Sequence, residues 1–462
     1  MTGTMLIEPG IGQWRSAVLG DDELPVTLTF HEDIALSAAG ALFDARVTRV
    51  DAHLDIAFLD LGDDRDGMLS LRRAKLIAGG RAETISDCVT EGQMLRVQVV
   101  AEPSALDDKA LPVTPRPRLT GRYVVAEAGG ARLSFSKDLG PKTVKTLTPM
   151  LTGAASRAAL IVRSRAGEVP AEAVAVEADW LTGILGAKCA DKPGLVHAFS
   201  PLEQALLAVG QGTESLLIEG ADALAQTKAM AETRWPDLSG LAELYKDTTP
   251  MFEAFGVEEA IEEALGDRIE LPSGGWLSVH ETPAVTAIDV NMGGALKGRS
   301  AGEAKLVVNL EAALAIAYHL RFQDIGGLVV VDFIDMAAKG AAKDLMDVLS
   351  GALKEDHVPV QHTGLSMFGL MELNRKRSGL SLRQRMLRQH KATDRPAAVA
   401  LKLIRDGVRL GRTASPGNLT VTAPKPVLTW LERHTDLLDA LKAQTSRAVT
   451  LAEGTPADIH LG

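Results

Sequence analysis

Two aspartates and an asparagine sit in two apolar segments of this chain, and a third aspartate follows the second segment. Asp289 and Asn291 end the segment VTAIDVN, Asp332 lies inside LVVVDFI, and Asp335 follows it. Side chains two apart in a strand share a face, so Asp289 and Asn291 point the same way. An ionised carboxylate in an apolar run is costly unless it is paired or bound to a metal. Two readings follow: carboxylates gathered for a cation, or strand-end aspartates that turn to solvent or cap the next helix.

Between the two segments, Leu306, Leu310, Ala313, Leu314, Ala317 and Leu320 recur at helical spacing. Such a helix crosses over a sheet and returns the chain to a nearby strand, which gives Asp289 and Asp332 a way to meet. Gly274 and Gly275 after Pro272 mark a tight turn ahead of the first segment.

The 462 residues exceed what one compact unit usually holds. A hydrophobic content of 46% with 24% charged residues is that of a globular chain, and no apolar run reaches membrane-spanning length. The first residues lack the basic and apolar regions of a signal peptide, so a cytoplasmic protein with no membrane partner is expected. Cys88 and Cys189 stand alone, forming neither a disulfide framework nor a zinc motif. A net charge of −11 argues mildly against a nucleic-acid partner, yet residues 375–412 carry twelve Lys/Arg against Asp394 and Asp406.

Along the chain, LPVTLTF suggests a strand in the first 38 residues. From Ala41 to EGQMLRVQVVAE, short alternating runs broken by turn signals indicate a small β-barrel. Residues 103–118 read as a long loop or boundary. GRYVVAE opens a further unit in which Arg163, Ser164 and Arg165 follow an apolar strand and precede a helix with Pro170 near its first turn. A strand-to-helix junction with arginine and hydroxyl groups can hold a phosphate, or can be a charged surface loop. Glu258, Glu259, Glu262 and Glu263 read as a solvated helix face. Past 380, a helix over 397–404, a strand LTVTA, a helix TWLERHTDLLDAL and a last strand AVTLA suggest a small α/β module.

The phrases IELPSGGWLSVHETPAVTAIDVN, NLEAALAIAYHLRFQDIGGLVVVDFIDM and FGLMELNRKRSGLSL together resemble the catalytic core of the ribonuclease E/G family. IAFLDLGDDRDGMLSL resembles an S1 domain, and GRYVV, LIVRSRAG and SLLIEG follow in the family's order, so the resemblance spans nearly the whole chain. It implies an α+β multidomain fold. An RNase H-like subdomain (1–38 and 200–265) would be split around an S1-like OB-fold barrel (39–120) and a 5′-sensor-like domain (121–199). A DNase I-like catalytic subdomain (266–380) and a small C-terminal α/β domain (381–462) would complete it.

The resemblance further implies a Mg2+-dependent endoribonuclease that cuts single-stranded RNA to 5′-phosphate and 3′-hydroxyl ends in processing or decay of mRNA or rRNA precursors. Asp289 and Asp332 match the metal-holding aspartates and Asn291 the catalytic asparagine, which demotes Asp335. Phe58 matches an S1 stacking aromatic, with a core role the alternative; Lys109, in the loop DDKALP, is placed to meet a phosphate or to be solvated; and Arg163–Ser164 matches the sensor for a 5′-monophosphate. Arg375, Lys376 and Arg377 are candidates for RNA-backbone contact. Departures are Met68 where the S1 domain offers a second ring, Pro359 where a further sensor arginine falls, and no cysteine pair for the family's zinc-link. A homodimer or higher oligomer would therefore use other contacts. Those departures and the acidic charge also fit a rival reading, an RNA-binding protein that keeps the fold with little turnover.

Overall fold

The computed structural model describes residues 3–34, 37–62, 65–78, 82–101, 110–282, 284–295, 300–336, 340–377, 379–387, 395–412 and 416–462. The chain is a mixed α+β protein that divides into two compact units. One comprises residues 1–11, 15–30 and 247–462, the other residues 12–14 and 31–246.

In the second unit a closed five-stranded barrel is built from strands Leu42–Asp51, Ile56–Asp60, Asp66–Ser70, Leu111–Thr114 and Met94–Val99, the last pairing back to the first. Alternation fills it: Ala57, Leu59, Leu69, Val97, Val99 and Val113 point inward to one apolar core. This is the barrel expected from the short alternating runs, and it is consistent with an OB-like fold. Two details differ. Leu111–Thr114, read as loop, is the strand that completes closure. Gly194–His197 adds antiparallel to Leu42–Asp51 from far along the chain.

The same unit holds a four-stranded sheet, with strands in the order Leu133–Phe135, Ala159–Val162, Val124–Glu127, Arg118–Thr120. Helices Pro141–Arg157 and Ala171–Gly186 accompany it. Glu177, on the second helix, is fully buried, yet it accepts from the backbone N–H of Arg122 (2.8 Å), Tyr123 (2.7 Å) and Val124 (2.9 Å) and from Trp235 Nε1 (2.8 Å). Burial raises its pKa against the pull of those four donors. Any side chain at Gly121 would run into this carboxylate.

The first unit carries the sheet that holds both apolar segments, and its elements are numbered here. They are β1 (Ile269–Glu270), β2 (Trp276–Glu281), β3 (Thr286–Asn291), α1 (Ala301–Phe322), β4 (Gly327–Asp332), α2 (Ala341–Leu353), β5 (Val360–His362) and β6 (Leu370–Arg375). The strand order is β1-β2-β3-β4-β6-β5. β3 and β4 run parallel and the rest of the sheet is antiparallel to its neighbours. α1 is the crossover between the parallel pair, as the spacing predicts. It opens on Ser300, whose hydroxyl accepts from Glu303 N in a capping box.

Among the described residues, the helices of this unit cover one face of this sheet. Leu277, Val279, Ile288, Val290, Val329, Val331, Met371 and Leu373 pack against Val308, Ala312, Ile316 and Leu320 of α1 and Leu345, Leu349 and Leu353 of α2. The buried stripe of α1 is rotated from the expected one. Ala313, Ala317 and Leu320 are buried as predicted, whereas Leu306 and Leu310 lie at its edge and Leu314 is exposed. Polar Asn309, fully buried, shares the stripe.

Two further expectations are corrected in this unit. Glu258 is not simply solvated: it takes Arg15 Nη2 at 2.6 Å, while Arg15 Nε bonds Glu8 at 2.6 Å and Arg409 reaches Glu8 at 3.0 Å. TWLERHTDLLDAL is two helices, Lys425–Arg433 and Thr435–Thr445, broken at His434, whose ring stacks on Trp430 with centroids 3.9 Å apart. The strand after them, Val449–Glu453, is followed by another, Asp458–Leu461, and both flank Leu419–Ala423.

Candidate active site

The parallel pairing sets Asp289 directly opposite Asp332 in register, one strand spacing apart (about 4.8 Å between backbones). The adjacency that the crossover made feasible is therefore present. Asn291 donates from Nδ2 to Asp289 Oδ2 at 2.8 Å, which fixes both side chains on one face.

That face is the open one. The carboxylates are not buried in apolar strands, and the burial penalty used to single them out does not apply. Asp289 and Asp332 are exposed, because Ile288, Val290, Val329 and Val331 take the covered face and the period of two sends the aspartates outward. On the same face stand exposed His280, Glu372 and Asn374, half-buried Trp276 (paired with Asn291) and Ser278 (paired with Asp289), which is itself buried. Asp335 lies beyond β4 and is exposed as well.

Rigid backbone holds the acidic pair. Asn309 donates from Nδ2 to Ile334 O at 2.8 Å and accepts from Ile334 N at 3.1 Å, tying the chain just past Asp332 to α1. On the other strand, Gly294 N donates to Gly274 O at 2.9 Å. A side chain at Gly293 would meet Gly274 O, and one at Gly275 would meet Asn291 O and Val308. Sequence reading missed Asn309 as a positioning residue. Its trace was a lone amide within the apolar helical spacing.

Among the described residues no group of three or more His, Cys, Asp or Glu is arranged to hold a metal ion. The donor set is two adjacent carboxylates with a neighbouring amide. That set fits Mg2+, which keeps several waters and takes one or two carboxylates plus substrate phosphate oxygens. It lacks the cysteine and histidine ligands of a structural zinc site.

The three basic candidates at the end of β6 separate. Arg375 is corrected: it is completely buried, with Nη1 2.6 Å from Asp324 Oδ1 and Nε 2.8 Å from Asp356 Oδ2. It braces loops beneath the sheet and offers nothing to RNA. Lys376 and Arg377 are exposed, with Arg377 lying along Gly326 and Gly327.

In the other unit, Phe58 is half-buried on the outside of the barrel and has no part in its core. It pairs with Met68 on one side and with Arg49 on the other, whose guanidinium lies 4.3 Å from its ring centroid. Lys109 lies outside the described residues. Arg163 precedes a short 3-10 turn, Ser164–Gly167, and donates from Nη1 to Gly121 O at 2.6 Å. Burial lowers its pKa, nearby Glu177 opposes that, and Arg122 and Arg118 add to it. Ser164 is half-buried beside it. Pro359 is exposed directly before β5.

A sequence model of the ribonuclease E/G family matches residues 118–378, a span that contains Asp289, Asn291 and Asp332. Over 363 residues the chain is 28% identical to ribonuclease G of Haemophilus influenzae, covering 74% of this chain and 73% of that protein. Against ribonuclease G of Escherichia coli strain K12 it is 26% identical over 400 residues, covering 83% of this chain and 81% of that protein. Ribonuclease E of the same strain is 30% identical over 361 residues, but the chain spans only 34% of its length. No helix among the described residues is long and apolar enough to cross a membrane.

Proposed function

The chain belongs to the ribonuclease E/G family, and from that premise we propose that it is a Mg2+-dependent endoribonuclease cutting single-stranded RNA to 5′-phosphate and 3′-hydroxyl ends. The observation that carries the reading is the register of Asp289 against Asp332 on an open sheet face, with Asn291 bonded to Asp289.

Asp289 and Asp332 would hold the cation between them. Bound there, Mg2+ supplies Lewis acidity toward a phosphoryl oxygen and acidifies a water molecule. The rest is work for the chain's own groups. Hydrolysis forms a bond from water oxygen to phosphorus and breaks the bond to O3′, which leaves as the hydroxyl with a proton. Asn291 cannot ionise. One of its N–H groups is committed to Asp289, and its remaining N–H and carbonyl oxygen are left to orient the water or a phosphate oxygen. A fixed amide beside the developing charge costs no reorganisation when that charge appears.

Outside the centre, Phe58 with Arg49 would give a base and its phosphate a place on the barrel. Arg163 has one backbone carbonyl as its side-chain hydrogen-bond partner among the described residues, which leaves N–H groups for a terminal phosphate, with Ser164 Oγ beside it. If these groups read the 5′ end, RNA carrying a 5′-monophosphate is cut faster than the 5′-hydroxyl form. Arg163→Ala then equalises the two rates, and equal rates in the unaltered protein would retire this part alone.

The central test is cleavage of a short, unpaired, fluorescent RNA with and without Mg2+. Asp289→Asn and Asp332→Asn should each lower the rate by at least on the order of a hundredfold while the melting temperature stays within a degree or two. Full activity in either variant sinks the assignment. Tight binding with no cutting by the unaltered protein would favour an RNA-binding role instead.

A further inference from the structure

At the edge of the acidic pair the sheet carries two aromatic side chains for which the phosphodiester chemistry has no use. Trp276 begins β2 and pairs with Asn291. Its neighbours Leu277 and Val279 are in the core, so the indole shares the open face with Ser278 and His280. It is half-buried, and the Arg268 guanidinium lies 4.3 Å from the ring centroid. On the far side, Leu370 begins β6 opposite Asp332, and the turn before it presents Met367 and Phe368.

Phe368 is 76% exposed and Met367 90%. Every other Phe, Tyr and Trp of the chain is buried or half-buried. Their exposure does not come from a loose turn. Ser366 Oγ accepts from Phe368 N (3.3 Å) and Leu370 N (3.2 Å), Ser366 N donates to Leu370 O (2.7 Å), and Gly369 N donates to Ser366 O (3.0 Å). Gly369 takes φ +80°, and a side chain there would sit 3.3 Å from Asp335 Oδ1. Two adjacent apolar side chains, one of them an aromatic ring, held in water by an ordered turn make a contiguous apolar surface of the kind that contacts a ligand.

We propose that Trp276 and Phe368 are stacking platforms for the nucleobases on either side of the phosphate engaged at Asp289 and Asp332, an inference that rests on the endoribonuclease reading. The order across the strand ends is Trp276, the Asn291–Asp289 pair, Asp332, then Leu370 with Phe368. β2 and β6 are three strand spacings apart, about 14 Å, so two bases laid on the platforms cannot remain stacked on each other. Only an unpaired, locally unstacked strand meets that demand, because a duplex keeps its bases stacked and inside. The platforms would therefore select single strands at the cutting centre itself. Stacking is tolerant of base identity, so little sequence preference follows.

The test uses a synthetic RNA with one defined cut, made intact and with an abasic ribose on either side. Phe368→Ala and Trp276→Ala should each lower kcat/KM on the intact RNA about ten- to hundredfold. Each variant should also lose the penalty for an abasic ribose on its own side only, while Phe368→Trp and Trp276→Phe restore both rate and penalty. Penalties that simply multiply in every combination overturn the proposal, as does a Phe368→Ala protein that cuts normally but changes its oligomeric state, which would make the turn a self-association patch. A second measurement needs no cleavage: 2-aminopurine placed at successive positions of the RNA is quenched on binding, and Phe368→Ala or Trp276→Ala abolishes the quench at one position each. Quenching of that kind with no cutting by the unaltered protein would fail the nuclease reading and leave the stacking platforms standing, whereas no such quench overturns the platforms.

Discussion

Glu177 and Asp289 are both carboxylates next to apolar strands, and they are used in opposite ways. Glu177 is sealed from water with both oxygens saturated by four N–H donors. Asp289 stands in solvent beside a second carboxylate, with one amide as its side-chain partner among the described residues. A charge spent on architecture has its hydrogen bonds completed within the chain, because an unfilled bond in the interior costs more than the charge returns. One that serves a ligand keeps its lone pairs open, and water fills them until the ligand arrives. The contrast repeats over the three residues at the end of β6, where Arg375 is buried between Asp324 and Asp356 and Arg377 is exposed.

The comparison predicts that the two kinds of substitution separate function from stability. The largest effect is the loss of cleavage in Asp289→Asn and Asp332→Asn, with the fold intact. Glu177→Ala should do the reverse. It strands three backbone N–H groups and the Trp235 indole N–H in the interior, at a cost of about 3–5 kcal/mol read by urea denaturation. A Glu177→Ala protein as stable as its parent would break the comparison from the structural side.

How far this division could be read from the sequence depended on whether partners lie near in the chain. The helix between the acidic segments, the barrel's alternation and the Asp–Asn spacing were legible because each is local. The exposure of Asp289 and Asp332 was obscured by Leu328 and Val330, apolar residues on the open face that make β4 look buried on both sides. Alternation in VTAIDVN carried the right answer, since Ile288 and Val290 face in. Arg375 could not be told from Arg377, as the aspartates that bury it lie 51 and 19 residues away. The break at His434 left no glycine or proline to announce it.

A smaller effect sharpens the comparison through pH. His319 of α1 is buried, and that burial, with Arg383 nearby, lowers its pKa to about 4 from an ordinary 6.5. It is therefore neutral in the folded protein at pH 7. Below 6.5 the unfolded chain takes up the proton first, so stability falls with pH from about 6.5 down to about 4 and levels off below. By pH 5 this group alone removes about 2 kcal/mol. Melting curves of the unaltered protein and His319→Gln between pH 7 and 5 measure it. The variant should show the shallower slope, and parallel slopes would remove His319 from the account.

The smallest effect belongs to the exposed cations. Lys376→Ala and Arg377→Ala should leave urea stability within about 0.5 kcal/mol, as surface substitutions do. If each meets one phosphate of a single strand, RNA affinity falls modestly and the slope of log K against log salt becomes shallower by about 0.7 per residue removed. Arg375→Ala is the counterpart two residues away. It leaves Asp356 buried without its partner, so it should unfold the protein more readily, with any loss of RNA binding following the loss of fold. An Arg377→Ala protein with unchanged salt slope would assign that cation to the surface alone. The RNA path would then have to leave the acidic pair by another edge of the open sheet, past His280.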